Sequence, residues 1–253
     1  MNTHFFADTS VLLGRSMRHI FRSVDTIITT AITPIALMLL FVYVFGGAIK
    51  TDTDNYVNYL LPGIMLIAIA SGIAYTAVRL FTDLQGGIFE RFQSMPIARS
   101  SVLWAHVLTS LVANGLSLVI IVGVALLMGF RTSASVLDWL AVAGMLALFT
   151  LALTWVAIIA GLSAKSVDGA GGFSYPLIFL PFISSAFVPT DTMPGPVRWF
   201  AENQPVTSIV NTIQNLFAQR PVGSDIWIAL AWCLGIMALA YVFAAAAYRR
   251  KIS

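Results

Sequence analysis

Charge is what this sequence has least of. Asp, Glu, Lys and Arg make up 10% of its 253 residues, where soluble domains carry about 25%. Hydrophobic side chains make up 58%, and the mean hydropathy is +0.88. A chain this apolar has more nonpolar surface than one water-soluble core can hide. That excludes an ordinary soluble domain and points to a single compact integral membrane domain. Cysteine is nearly absent. Cys233 stands alone in an apolar run, which excludes an intrachain disulfide and reads as a buried, inert thiol. Catalytic constellations are missing as well. His4, His19 and His106 are isolated and form neither H-E-x-x-H nor a ligand cluster, and the serines have no recognisable base beside them. The string GGAIKT at Gly46–Thr51 departs from a phosphate-binding loop, because two residues separate its last glycine from Lys50. Neither an enzyme nor a cofactor or metal bound by this chain is expected.

Long apolar runs dominate what remains. A membrane-spanning helix needs about 20 apolar residues, and six stretches approach or exceed that: 27–45, 57–78, 102–128, 137–162, 171–188 and 226–248. The fold class expected is all-α, a polytopic membrane protein with six transmembrane helices. The first run is too long for a secretory signal and has no small-residue cleavage pattern after it, so it reads as a retained span. The fifth run contains Pro176 and Pro181 and reads as a kinked helix, since neighbours in a membrane bundle satisfy the carbonyls that proline frees. Its entry, VDGAGGFSYP, is rich in glycine, so the helix is expected to start late.

Six spans place both ends on one side. Ten of the fourteen Lys and Arg residues then share that side: Arg15, Arg18, Arg22, Arg79, Arg91, Arg99, Lys165, Arg249, Arg250 and Lys251. Lys50, Arg131, Arg198 and Arg220 take the other. The bias puts both termini in the cytoplasm. Away from their ends the spans hold no Lys, Arg, Asp or Glu. Ion-coupled carriers bind their ion with ionisable groups inside the membrane, so such a carrier is disfavoured. His106, at the edge of the third run, reads as structural. The polar groups within the runs are neutral: Ser71, Tyr75 and Thr76, then Asn114 and Ser117, Thr150 and Thr154, and Ser174, Ser184 and Ser185. Such groups commonly bond helix to helix. Ser71, Tyr75, Asn114 and Thr154 are also the candidates for a substrate path.

Two segments outside the runs are amphipathic. Near the N-terminus, Leu13, Met17, Ile20, Phe21 and Val24 recur at helical spacing opposite Arg15, Arg18 and Arg22. That pattern predicts an interfacial helix, with its arginines toward lipid phosphates. Between the fifth and sixth runs, 189–225 opens on a proline-glycine cluster. It then allows one short helix around Val197, Phe200 and Ala201 and another from Pro205, with Val206, Ile209, Val210, Ile213, Leu216 and Phe217 on one face. These read as short extracellular re-entrant helices dipping into the outer leaflet.

The remaining segment is 83–100, DLQGGIFERFQSMPIARS. Ile88, Phe92 and Met95 fall at i, i+4 and i+7 beside Phe89, while Glu90 and Arg91 show charges of both signs. Gly86 and Gly87 loosen one end, and Pro96 closes the other. The segment reads as a short cytoplasmic helix that meets a partner.

The pattern GGIFERFQSMPIARS, together with SSAFVPTDTMPGPVRWFAENQPVTSIV, resembles the type-2 ABC (ATP-binding cassette) permeases, and above all the daunorubicin-resistance-type exporter permeases of bacteria. The likeness runs along essentially the whole chain. It implies a permease of the bacterial inner membrane, working as a dimer of six-span units. Each unit would dock an ABC ATPase subunit that holds the ATP and Mg. Gly87, Ile88, Phe89, Glu90, Arg91, Phe92, Met95 and Pro96 would take up the ATPase motion, and the interfacial helix would contribute to the same contact. The cargo expected is an amphipathic drug-like or lipid-like molecule, the other partners a second permease copy and membrane lipid; nucleic acid is not among them. A non-transporting anchor or assembly factor is the alternative of a different class, and an ion-coupled carrier a lesser one.

Overall fold

The computed structural model describes residues 24–47, 49, 55–86 and 99–252. Among these residues every regular element is helical and none is a strand. The first helix, α1 (Val24–Leu40), runs directly into a π-helical turn at Phe41–Phe45. Pro34 lies inside it and removes one amide donor from the helical ladder. Helix α2 (Tyr56–Gln85) has 30 residues and so extends about 45 Å at 1.5 Å per residue. That exceeds the roughly 30 Å hydrocarbon core of a bilayer, so its ends project. Helices α3 (Arg99–Leu127) and α4 (Val136–Ser163) follow. The chain leaves α3 through Gly129 at φ +98°. There the Phe130 amide donates back to the Ala125 carbonyl (2.8 Å), a glycine-dependent C-terminal cap. Helix α4 opens on a capping box: Ser135 Oγ accepts from the Asp138 amide, and Asp138 Oδ2 accepts from the Ser135 amide at 2.8 Å.

The fifth apolar run is broken more deeply than one kink. It forms α5 (Val167–Gly172), α6 (Ser174–Phe179) and a 3-10 turn at Leu180–Ile183. The expected late start is not seen. Ser166 caps α5 by accepting from the Gly169 amide at 3.1 Å, so the helix begins ahead of the glycines. Helices α7 (Gly195–Asn203) and α8 (Pro205–Phe217) occupy the long connection, and α9 (Asp225–Ile252) ends the chain. Proline heads both short helices, where its missing amide is no loss. Among the described residues four helices are long and apolar enough to cross a membrane: α2, α3, α4 and α9. Ala31–Phe45 and Val167–Ile183 are shorter apolar helical stretches.

The centre of the bundle is α2. It packs against α1, α3, α4, α5, α6 and α8, and every residue from Leu60 to Ala70 is buried. Helix α9 lies against α4 and α8. The apolar face of α8 expected from its spacing is buried, with Ile209, Val210 and Ile213 fully enclosed. This helix therefore sits within the bundle. Two close approaches fix α2 to its neighbours. A Cβ on Gly63 would stand 2.6 Å from the Ala186 Cβ, and one on Gly161 of α4 would stand 2.8 Å from the Ala77 carbonyl oxygen. The first approach is to the turn at Ala186 and the second is a helix crossing, where a small residue allows the backbone proximity that drives helix association in lipid.

Replacing Gly63 with leucine should therefore destabilise the fold by about 1–3 kcal/mol, the usual cost of overpacking. Gly144→Ala adds a methyl with nothing within 4 Å and should be neutral or stabilising by up to about 1 kcal/mol through helix propensity. Thermal unfolding of the detergent-solubilised variants, followed by size-exclusion chromatography, measures the difference.

Candidate functional site

At one end of the bundle the connections are laced together by hydrogen bonds. Asn55 Nδ2 donates to the Gly129 carbonyl (3.1 Å), and the Arg131 amide donates to Asn58 Oδ1 (3.1 Å). Thr132 Oγ1 donates to the Phe217 carbonyl (2.6 Å), Gln214 Nε2 to the Tyr59 carbonyl (2.8 Å), and the Tyr56 hydroxyl to the Phe187 carbonyl (2.9 Å). Buried carbonyls at chain reversals need such partners. Trp199 on α7 and Trp227 at the start of α9 are exposed, the residue type found in the aromatic belts of membrane interfaces. On α7 the Arg198 guanidinium donates to Glu202 (2.7 Å) and stands 2.8 Å from Asp191. The Glu202 bond, then the two nearby negative charges, raise its pKa above the ordinary arginine value.

Gln204, between α7 and α8, is nearly buried and reaches across to the broken fifth run. Its Nε2 donates to the Leu180 carbonyl (3.3 Å) and to the Ile183 carbonyl. One side chain thus serves two carbonyls of the 3-10 turn. Sequence spacing does not single out Gln204. Its signal is the residue itself, an amide just before the proline that heads a helix.

A polar cluster joins α3 to α4 in the interior, with Gly72 of α2 against it. Asn114 Nδ2 donates to the Ser110 carbonyl (2.9 Å) and to Ser110 Oγ (3.2 Å). Ser110 Oγ shares a hydrogen bond with Thr154 Oγ1 at 3.0 Å. Thr154 and Thr150 each donate to the carbonyl four residues back, at 2.7 Å. Asn114 Oδ1 is turned toward Gly72 of α2, where any Cβ would overlap it, and it has no hydrogen-bond partner among the described residues. Two of the four path candidates, Asn114 and Thr154, are thus brought together, with Ser110 as the link. Both are buried. Ser71, next to Gly72, gives its hydroxyl to the Ile67 carbonyl (2.9 Å), and Tyr75 is 39% exposed. Neither hydrogen-bonds to the cluster. Ser110 and Gly72 are not distinguished by the sequence pattern, although Ser110 and Asn114 stand at i, i+4, as do Thr150 and Thr154.

No Lys, Arg, Asp or Glu is buried among the described residues, and among them no group of His, Cys, Asp and Glu has the arrangement to hold a metal. His106 is buried at the other end of the bundle, 3.4 Å from Asp83. The coupling candidates Gly87, Ile88, Phe89, Glu90, Arg91, Phe92, Met95 and Pro96 lie outside the described residues, as do Arg15, Arg18 and Arg22.

The chain is matched over residues 7–218 by the family model described as "ABC-2 type transporter", and it belongs to that family. Its relatives include the "Daunorubicin resistance ABC transporter permease protein DrrB1" of Streptomyces coeruleorubidus, 27% identical over 229 residues, covering 89% of this chain and 80% of the relative. The "Probable doxorubicin resistance ABC transporter permease protein DrrC" of two Mycobacterium tuberculosis strains, CDC 1551 / Oshkosh and ATCC 25618 / H37Rv, is 26% identical over 250 residues. That alignment covers 97% of this chain and 90% of each relative.

Replacing Thr154 with valine removes the α3–α4 hydrogen bond while keeping side-chain shape. It should cost roughly 0.5–2 kcal/mol, the range measured for interhelical hydrogen bonds in membranes. Thermal unfolding in detergent, with Ser110→Ala and the double variant completing a cycle, reads that coupling energy.

Proposed function

We propose that this chain is the transmembrane permease subunit of an ATP-driven exporter that moves an amphipathic, drug-like or lipid-like molecule out of the cell. The observation that carries the reading is a charge-free bundle in a member of the ABC-2 family. With no Lys, Arg, Asp or Glu in the spans away from their ends to bind a driving ion, the energy comes from another chain. The names of the relatives, both drug-resistance permeases, support export as the direction. A partner ATPase holds the ATP and Mg, and a second permease copy completes the pathway.

The topology that goes with this reading has six spans. Four are the long helices, and the two shorter apolar stretches at α1 and at α5–α6 supply the others. Helix α7, with Trp199 exposed, lies in the outer leaflet beside α8. Both termini and residues 87–98 face the cytoplasm of the bacterial inner membrane, as the bias of positive charge favours. The N-terminal segment with Arg15, Arg18 and Arg22 lies on the inner headgroups. Residues 87–96 receive the ATPase motion, with Glu90 and Arg91 at the contact. The neutral cluster of Asn114, Ser110 and Thr154, with Ser71 and Tyr75 on the neighbouring helix, borders the path. A pathway without fixed charge suits a cargo whose apolar body does most of the binding.

Two outcomes are expected. Changing Glu90 and Arg91 together to alanine should leave the protein folded and inserted but abolish most ATP-dependent transport in vesicles containing the ATPase subunit; full-rate transport by this variant refutes the contact. In a Cys233→Ala background, cysteine at Thr53 should react with an impermeant maleimide from outside the cell. Cysteine at Ser94 should react only after the membrane is opened, and the reverse pattern overturns the orientation.

A further inference from the structure

The ends of α2 and α3 that flank residues 87–98 are pinned to one another. His106 Nε2, on the second turn of α3, stands 3.4 Å from Asp83 Oδ2, on the last turn of α2. His106 is only 8% exposed. Beside the pair, Leu80, Leu103, Val107, Trp155, Ile158 and Leu162 form an apolar cluster separate from the main core. Removing one member of such a sheltered pair leaves the other's polar atoms without that partner in a poorly hydrated place. The same two helices meet again halfway along, where the Gly72 backbone lies against Asn114. They meet a third time at the far end, through Asn55 to Gly129 and Arg131 to Asn58. Two helices tied at base, middle and top resist hinging between themselves.

We propose that Asp83 and His106 are positioning residues for energy coupling. The pair clamps the two helix ends from which residues 87–98 are suspended, so that displacement of that segment moves α2 and α3 together as one hairpin. Because α2 touches most of the other helices, movement of the hairpin reaches the whole bundle. Without the clamp the base of α2 yields alone, and part of the displacement is lost before it reaches the middle of the membrane. This inference rests on the reading of 87–96 as the coupling segment.

The test uses vesicles holding the permease with its ATPase subunit, in which cargo moved and ATP hydrolysed are measured together. Asp83→Asn, His106→Gln and the double variant are compared with the parent. The double variant changes both members together, so it stands in should a single variant misassemble. The expected result is ATP hydrolysis close to the parent's, with cargo moved per ATP reduced at least about fivefold, the low end of typical coupling between sites. A contact that only stabilises the fold would leave that ratio unchanged while lowering the unfolding temperature and both activities in proportion. That result overturns the proposal, as does an unaltered double variant. Glu90→Ala with Arg91→Ala separates the two readings. If it uncouples and the clamp variants do not, only the clamp is wrong. If it leaves coupling intact, the coupling segment itself has been misplaced.

Discussion

The bundle depends on the burial of α2. Six other helices take their places around it, and an unbroken run of eleven residues, from Leu60 to Ala70, is hidden from the surroundings. In lipid this is not a hydrophobic effect, because hydrocarbon solvates leucine as well as a protein interior does. What holds neighbours to α2 is dense packing and close backbone approach. The sequence answers with glycine on α2 at Gly63 and Gly72, and with Gly161 on α4 where that helix crosses it. At each of these places a side chain would collide with a neighbouring segment: the turn at Ala186, the Asn114 side chain, or the α2 backbone at Ala77. A helix held on all sides cannot slide freely, so a force applied at its end is passed to its neighbours.

Polar groups then set which neighbours are tied and which are free. The Ser110–Thr154 bond joins α3 to α4, Gln204 holds the end of the fifth apolar run, Thr132 ties the α3–α4 connection to the end of α8, and Gln214 fastens α8 to α2. All of these groups are neutral. Membrane bundles use neutral hydrogen bonds because each replaces an unsatisfied group, whereas a charge in the same place carries a far larger desolvation cost. Neutral ties permit rearrangement without exposing a charge to hydrocarbon, which suits a pathway that opens and closes. By contrast α9, leaning on α4 and α8, keeps Trp232, Leu239 and Phe243 exposed to the surroundings, the composition of a lipid-facing helix.

Much of this is legible in the sequence, and unevenly so. The four long helices are visible because an apolar run of more than about 20 residues is the length a bilayer demands and is seldom built for anything else. Their ends are less visible. Hydropathy closes the second run at Val78, before Arg79, yet α2 continues to Gln85, because a helical ladder does not stop where the hydrocarbon does. Helix α8 is readable from its spacing, but its depth in the bundle is not, since amphipathicity does not say what covers the apolar face. The breaks at Phe173 and Leu180 follow from two prolines and a glycine run only in outline. Asn114 and Thr154 stand out as polar residues in apolar runs, while their bridge through Ser110 depends on how α3 and α4 are rotated, which periodicity does not encode. The Asp83–His106 pair is hidden for the same reason, its members lying 23 positions apart on two helices.

The central claim is that this bundle converts work done on another chain, and uses no ion gradient of its own. The most direct measurement is cargo uptake into inverted vesicles containing the permease and its ATPase subunit, with ATP held constant while a proton and sodium ionophore collapses every gradient. If ATP hydrolysis on another chain drives the bundle, uptake continues undiminished and stops when ATP is replaced by a non-hydrolysable analogue. Uptake that collapses with the gradients while ATP remains would contradict it.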